Sequence, residues 1–343
     1  MPFAGCPHRC LFCAQDKQTG VHHAASSSLD LTILKDLEAC LSALRTRTPM
    51  SCPVELAFYG GTFTALPVSL QMACLKAVHL AREEGLVCRV RCSTRPDALD
   101  LEHLCRLREA GLHLIEVGVQ SFDDAALIKV RRGYTSETAR AGCLRVLEAG
   151  LELGIQLLPG MPGSTPAVFL HDVDTALALS PSCLRLYPCL VVDGTPLAAL
   201  WRAGAYQPWD LATTLTTLAE ALTRTWVKEI PVIRLSLAPE PELEAALLAG
   251  PRHPALGERI QGEALLGAVA AHLATTTRPP DAVYLPAFCQ GFFFGHKGDL
   301  RPRWRKLGID PSAVHWISGT QGKLLWEKSA GKETSEAVGR LAE

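Results

Sequence analysis

The sequence predicts an α/β protein in which βα units stack around a parallel sheet and close, completely or in part, into a barrel. Short apolar runs rich in β-branched residues are followed repeatedly by stretches with apolar positions three and four apart. Glycine and polar residues collect where the apolar runs end, and βα barrels carry their chemistry at that edge. A chain of 343 residues with 48% apolar composition is long enough to bury a large core.

The predicted elements follow one another in a regular order. The predicted strands are Val54–Tyr59, Leu86–Cys92, Leu112–Val119, Leu153–Leu158, Leu184–Tyr187 and Val232–Leu237. The predicted helices are Thr32–Leu44, Pro67–Glu84, Leu101–Ala110, Ser136–Ala149, Ala167–Leu179 and Leu211–Thr223. This alternation is typical of parallel strands joined by helices that cover the sheet.

The alternation of strands and helices weakens after about residue 239, where several prolines occur close together. We therefore expect a core domain over residues 1–240 and a smaller C-terminal extension over residues 241–343. The role of the extension cannot be derived from its composition.

Composition and charge narrow the function classes. The formal net charge is −1, which argues against a stand-alone nucleic-acid binder. No apolar run is long enough to span a membrane and no secretory signal is present at the start, so we expect a soluble cytoplasmic protein without membrane partners. Thirteen cysteines in such a chain are expected to be free thiols and metal ligands in a reducing compartment.

Three of these cysteines lie within one short segment, Cys6, Cys10 and Cys13, spaced as C-x3-C-x2-C. This spacing places three thiols close enough to bind three irons of one 4Fe-4S cluster and leaves the fourth iron open. The alternative is a structural zinc site, for which His8, His22 or His23 would supply the fourth ligand.

The cysteine spacing, with Phe12 before the last cysteine, resembles the signature of the radical S-adenosylmethionine (SAM) superfamily. Further motifs follow in the order of that family: Phe58-Tyr-Gly-Gly-Thr-Phe-Thr64, Ser93-Thr-Arg-Pro-Asp97, Glu116-Val-Gly-Val-Gln-Ser-Phe-Asp123, Arg131-Arg-Gly-Tyr-Thr135 and Gln156-Leu-Leu-Pro-Gly-Met-Pro-Gly163. The resemblance implies a partial (β/α)6-type radical SAM barrel with a 4Fe-4S cluster on the three cysteines. It also implies SAM contacts from Gly60, Gly61, Thr62, Ser93, Gln120, Arg132 and Gln156.

One branch of the superfamily resembles this chain most distinctly. The segments Leu184-Arg-Leu-Tyr-Pro-Cys-Leu-Val-Val-Asp-Gly-Thr195 and Leu200-Trp-Arg-Ala-Gly-Ala-Tyr-Gln-Pro208 are similar to the radical SAM domain of the elongator catalytic subunit, over residues 1 to 255 or so. The remainder is short for that subunit's acetyltransferase, so acetyl-CoA chemistry is not expected. Few residues precede Cys6, and we expect the natural start to lie further upstream.

The resemblance implies reductive cleavage of SAM to a 5'-deoxyadenosyl radical, which abstracts hydrogen from a substrate that the sequence does not identify. An external electron donor is required, and tRNA is a candidate partner. Tyr187 is the candidate catalytic residue, and Tyr59 is expected to face the same space. The alternatives are porphyrin chemistry like that of coproporphyrinogen dehydrogenases, or a non-catalytic metal-binding protein.

A basic and aromatic segment near residues 291–306 has two interpretations. In the first, its basic and aromatic side chains bind nucleic acid. In the second, which we favour, its aromatic side chains pack inward and its charged face lies in solvent.

Overall fold

The computed structural model describes residues 3–7, 9–19, 29–46, 54–237, 240–274, 282–310, 314–318, 321–327 and 333–340. The strands are β1 Val54–Phe58, β2 Val87–Thr94, β3 Leu114–Gln120, β4 Glu152–Leu157, β5 Cys183–Leu186, β6 Val191–Val192, β7 Val232–Arg234, β8 Leu247–Ala249, β9 Ala282–Pro286, β10 Val314–Ile317, β11 Gln321–Glu327 and β12 Glu333–Arg340. The helices are α1 Gln15–Thr19, α2 Leu29–Arg45, α3 Val68–Glu83, α4 Leu101–Glu109, α5 Asp124–Lys129, α6 Ser136–Glu148, α7 Pro166–Ala178, α8 Pro196–Arg202, α9 Leu211–Val227, α10 Pro241–Ala246, α11 Leu256–Leu273, α12 Gln290–Phe293 and α13 Arg301–Lys306.

The main sheet confirms the predicted α/β fold class. Six strands pair in the order β1-β2-β3-β4-β5-β7, all neighbours are parallel, and the sheet curls into a half-barrel. Each predicted strand and helix is present within a few residues of its expected bounds. The last predicted strand is shorter than expected, because β7 ends at Arg234 at the edge of the sheet, where it pairs only with β5.

Helix starts are fixed by polar side chains that accept a hydrogen bond from the backbone of the first turn. The side chains of Asp100, Asp123, Thr135, Thr165, Thr195 and Asp210 cap α4, α5, α6, α7, α8 and α9 in this way. Each cap contributes about 1 kcal/mol. Each cap fixes the residue at which a helix begins and so the length of the loop before it. The loops at the carboxyl ends of the strands therefore have defined conformations.

The two faces of the curled sheet differ in polarity. The helices pack apolar side chains such as Leu104, Leu107, Phe169 and Leu218 against the outer face, where all four are buried. The inner face instead carries charged and polar residues. A face of this kind encloses solvent or a ligand rather than a second hydrophobic layer.

The C-terminal part packs onto the half-barrel through α11, which lies against α9. Buried residues of α11, α12 and α13, among them Ile260, Phe293 and Trp304, belong to the same hydrophobic cluster as the core of the main sheet. A four-stranded sheet in the order β10-β9-β11-β12 follows. The division into residues 1–240 and 241–343 stays a proposal, with one continuous core on both sides of it.

None of the helices in the described parts of the chain is long and apolar enough to cross a membrane.

A buried carboxylate fixes the loop after β3. Asp172 of α7 accepts hydrogen bonds from Ser121 Oγ at 2.6 Å and from the Phe122 backbone NH at 2.7 Å. Burial raises the pKa of Asp172 to about 6 from its ordinary value of 3.8. The folded state therefore binds a proton more tightly at this residue than the unfolded state does.

This linkage predicts a pH effect on stability. Because the folded pKa is raised, the contribution of Asp172 is fully favourable below pH 3.8 and is lost as the pH rises through about 6. We expect the free energy of unfolding of the wild type, relative to Asp172→Asn, to fall by about 2 kcal/mol between pH 4 and pH 7. Urea unfolding of both proteins across this range measures the difference, and parallel pH profiles would contradict the prediction.

Candidate functional site

A cavity of about 350 Å³ lies at the carboxyl ends of the main strands. Every residue that the sequence analysis names as a cluster, SAM or catalytic candidate lines it: Cys6, Cys10, Cys13, Gly60, Gly61, Thr62, Ser93, Gln120, Arg132, Gln156 and Tyr187. The parallel arrangement brings these residues together, because strand ends that are distant in sequence meet at one edge of the sheet.

The segment with the three cysteines is held against the glycine motif by backbone hydrogen bonds. Phe3 N donates to Gly60 O at 2.7 Å, and Thr62 N donates to Ala4 O at 2.8 Å. A Cβ atom at Gly61 would lie 2.1 Å from Ala4 O, so only glycine permits this approach. In the structure, this motif positions the loop that carries the thiols.

Replacing Gly61 with alanine is expected to displace that loop. The added methyl group collides with backbone, which cannot move aside as the end of a flexible side chain can. We expect a loss of about 1–3 kcal/mol in stability and a reduced iron content after reconstitution. Gly267→Ala is the matched control, because Gly267 is exposed in α11 and no atom lies within 4 Å of the place that the added methyl group would take. It should be neutral or stabilising. Equal iron content in the two variants would contradict the prediction.

The three thiols differ in their surroundings. Cys10 is buried and accepts a hydrogen bond from Arg132 Nη1 at 3.0 Å, while Cys6 Sγ lies 3.2 Å from Thr62 Oγ1. Burial, together with the neighbouring Cys10 and Cys6, raises the pKa of Cys13 to about 12. Burial and the neighbouring thiols therefore oppose ionisation of Cys13, and a bound cation would remove that opposition.

Two buried arginines place positive charge beside Cys10. Arg132 also donates to Gly118 O at 2.5 Å and to the Tyr134 hydroxyl at 2.8 Å. Arg95, which sequence reasoning did not select, lies with Nη1 3.8 Å from Cys10 Sγ and donates to Arg132 O at 2.6 Å. The position of Arg95 directly after a strand was a usable sequence signal. Positive charge at this place suits a thiolate that binds a metal.

Gln120 lies at the end of β3 in a strained backbone conformation, with φ at +71°. Its side-chain Oε1 is buried and has no hydrogen-bond partner among the described residues. Gly118 has no side chain, which leaves room for the Gln120 amide, since a Cβ there would lie 3.0 Å from Gln120 Nε2. A buried acceptor without a partner at a pocket wall is suited to a ligand donor such as a hydroxyl group.

Six charged side chains on the inner face of the sheet are linked by successive ion pairs. We call this set of residues the charge ladder. Its members alternate in sign: Glu152, Arg89, Glu55, Arg91, Glu116 and Arg185. Glu116 is almost fully buried, with Arg185 Nε 2.8 Å and Arg91 Nη1 3.4 Å from its carboxylate oxygens. The sequence signal for the ladder was the charged residues at alternate positions of apolar strands, and none of the predicted site residues belongs to the ladder.

The two candidate tyrosines differ in their hydrogen bonding. The Tyr59 hydroxyl donates to Glu116 Oε1 at 2.5 Å and accepts from Arg185 Nη2 at 2.8 Å. The Tyr187 hydroxyl has no hydrogen bond to a described residue. Burial raises the pKa of both hydroxyls, so both are protonated donors at neutral pH. Tyr187 is therefore the tyrosine with a donor available to a ligand.

The donor set fits an iron–sulfur cluster better than a single metal ion. Within the described residues, no three His, Cys, Asp or Glu side chains converge in a way that would hold one metal ion, although three cysteines line one cavity. In a cubane each thiolate binds a different iron, so the thiols stand further apart than in a mononuclear zinc site. The histidines proposed for zinc, His8, His22 and His23, lie outside the described residues.

The basic and aromatic segment near the C-terminus packs its rings inward. Phe293 and Trp304 are fully buried and stack with ring centroids 4.4 Å apart. Arg303 pairs with Glu263 at 2.5 Å on the outer side. These rings are unavailable to nucleobases, which supports the second interpretation of this segment.

The fold and the cavity define an α/β half-barrel protein with a thiol-lined site at the carboxyl ends of its strands. The chain belongs to the radical SAM superfamily, whose model matches residues 1–176, and the model of a radical SAM C-terminal domain matches residues 181–264.

Two curated relatives carry the name tRNA uridine(34) acetyltransferase. The protein from Methanocaldococcus infernus is 26% identical over 66% of this chain and 49% of its own length. The protein from Dehalococcoides mccartyi is 28% identical over 67% of this chain and 56% of its own length. The chain thus spans about half the length of these relatives.

A solved structure has the same fold. It is archaeal Elp3 from Methanocaldococcus infernus with an amino-terminal deletion, and it matches with a TM-score of 0.57 at 18% identity. The match covers 91% of this chain and 73% of the other. The resemblance to elongator-type proteins that the sequence motifs indicate is confirmed, since proteins of this kind are among the relatives to which the chain is similar.

Proposed function

We propose that this protein binds a 4Fe-4S cluster through Cys6, Cys10 and Cys13 and cleaves SAM reductively to start hydrogen abstraction from a substrate. The observation that carries the proposal is the cavity itself, in which three thiols face the glycine motif and the strand-end residues of the same family. When bound and reduced, the cluster supplies the electron for this cleavage.

The residues around the thiols have separable roles in this proposal. Arg132 and Arg95 stabilise the charge on Cys10, and Gly60 and Gly61 hold the thiol loop in place. Thr62 contacts Cys6 and lies at the edge that receives the SAM methionine group. Ser93, Gln120 and Gln156, to which the resemblance assigns SAM contacts, line the same cavity, and the Gln120 Oε1, which has no partner among the described residues, is suited to a ribose hydroxyl.

The substrate is proposed to be linked to tRNA. Support comes from the names of the curated relatives and from the motifs shared with the elongator subunit. The reaction requires an external electron donor. The cytoplasm is the proposed location because none of the twelve described cysteines forms a disulfide, as a reducing compartment favours.

The test is anaerobic reconstitution, followed by dithionite reduction with SAM and chromatography for 5'-deoxyadenosine. We expect about four irons per chain and formation of 5'-deoxyadenosine that depends on both reductant and SAM. Stoichiometric zinc without SAM cleavage would instead support the metal-binding alternative. A tetrapyrrole that copurifies with the protein would favour porphyrin chemistry over a tRNA-linked substrate.

A further inference from the structure

We infer that Arg185, Tyr187 and Arg234 form a subsite that binds the carboxylate or phosphate group of a small-molecule substrate with an apolar body. This inference rests on the proposed function, since it describes which substrate that function acts on. The three residues, called the anion subsite below, line the cavity on the side of β5 and β7.

The sheet itself brings the two arginines together. Arg185 and Arg234 are register partners on the adjacent parallel strands β5 and β7. Residues opposite each other on parallel strands project from the same face, so both belong to the inner face of the half-barrel. Arg185 Cζ lies 5.9 Å from the centre of the Tyr187 ring, and the charge of Arg234 also acts on the Tyr187 hydroxyl.

The subsite has positive charge that the described residues do not neutralise. In the charge ladder, three carboxylates balance three guanidinium groups, and Arg185 is the last member. Arg234 stands beyond this end, exposed to the cavity and without an ion pair to any described residue. Two neighbouring guanidinium groups repel each other, and an anion bound between them attracts both and outweighs that repulsion.

Hydrogen-bond donors remain free in the same place. Arg185 holds Nε in an ion pair with Glu116 and donates from Nη2 to the Tyr59 hydroxyl, and its Nη1 has no partner among the described residues. The hydroxyl of Tyr187 and the whole guanidinium of Arg234 are also without described partners. Carboxylate and phosphate oxygens are the acceptors that match a guanidinium fork combined with a hydroxyl donor.

A second cavity of about 370 Å³ adjoins the first and shares the walls Pro188, Leu190 and Leu237 with it. Its remaining lining combines apolar side chains, Leu243, Leu247 and Leu256 among them, with the ion-paired Glu244 and Arg252 and with His253. Both cavities have volumes typical of small-molecule sites. An apolar body fits the second cavity while its anionic end reaches the subsite, which favours a small molecule over a nucleic-acid backbone as the source of the anion.

Three small probe ligands that share a benzene ring and differ in charge test the subsite. Benzoate and phenyl phosphate are anionic, and benzamide is neutral. Saturation-transfer NMR on the reconstituted, unreduced protein at constant ionic strength reports their binding. We expect saturable binding of at least one anionic probe, no saturable binding of benzamide, and weakening by at least about tenfold in Arg234→Gln. Arg234→Lys should keep part of the affinity. Arg106→Gln is the charge-matched control on the exposed side of α4, and it should bind like the wild type.

Tyr187→Phe supplies a second test because it removes only a hydroxyl group, and it should weaken the anionic probe without a change in fold. Equal binding of the anionic probes to wild type and Arg234→Gln would overturn the inference. Displacement of the probe by SAM would overturn it too, by assigning the subsite to the cofactor. Absence of probe binding together with tRNA binding that depends on Arg234 would assign the anion to nucleic acid and overturn it as well.

These outcomes are independent of the test of the proposed function. Probe binding is an equilibrium measurement that needs no reduction and no turnover. If 5'-deoxyadenosine forms but Arg234→Gln binds the probes normally, the subsite fails and the proposed function stands. If the probes bind as expected but SAM is not cleaved, the proposed function fails and the arginine pair remains an anion site of another reaction.

Discussion

Replacing Cys10 with alanine is expected to remove the cluster and SAM cleavage together. Cys10 is the most enclosed of the three thiols, at 4% exposure, and two arginines surround it. With two thiolates left, a cubane has too few protein ligands to be retained. We expect iron to fall from about four per chain to less than about one, and 5'-deoxyadenosine to fall to the level found without protein.

The control for this substitution is Cys40→Ala, since Cys40 is exposed on α2 and distant in sequence from the thiol loop. It should keep the iron content and the cleavage rate of the wild type. Circular dichroism on the Cys10 variant shows whether the half-barrel still folds, and Cys10→Ser repeats the test with a side chain of similar size. SAM cleavage that persists in a folded Cys10→Ala protein would disprove the proposed mechanism.

Of the substitutions described, Glu116→Gln is expected to cause the largest loss in the free energy of unfolding. Its carboxylate is 2% exposed, and Arg185, itself 13% exposed, depends on it for charge compensation. Removing one partner of a buried ion pair leaves an uncompensated charge and costs about 3–5 kcal/mol. Urea unfolding of the wild type and the variant at pH 7 measures this difference.

A double-mutant cycle separates the pair from the single substitution. Glu116→Gln combined with Arg185→Gln removes both charges of this pair, while Arg91 keeps its ion pair with Glu55, and should recover part of the lost stability. Glu102→Gln is the exposed control, because Glu102 is 85% exposed and pairs only along its own helix with Arg106, and it should change stability by less than about 0.5 kcal/mol. Additive effects of the Glu116 and Arg185 substitutions would show that the two residues are not coupled.

The fold was predictable from the sequence because its signals are local. The apolar runs that form β1 to β5 are bounded by glycine and by capped helices. The bounds of each strand therefore follow from residues that are close to it in sequence. The candidate residues also follow these strands, so their meeting at one cavity follows from parallel topology alone.

The charge ladder was not predicted, because its pairs join residues on different strands and depend on sheet register. Glu116 meets Arg185 only because β3, β4 and β5 are neighbours with the observed alignment. In the sequence, each charged residue merely interrupts an apolar run. Arg95 was missed for a related reason, since its distance to Cys10 depends on how the amino-terminal loop folds back over the strand ends.

The backbone clasp between Ala4 and Thr62 has a consequence for assembly of the metal centre. The hydrogen bonds of Phe3 and Thr62 hold the loop through main-chain atoms, so these contacts do not engage the thiols. If the three cysteines hold a cluster as proposed, the metal-free protein would present thiols already gathered on one loop, and binding would carry less of the entropic cost of ordering the chain. Insertion of that cluster would then resemble docking into a preformed site more than metal-induced folding.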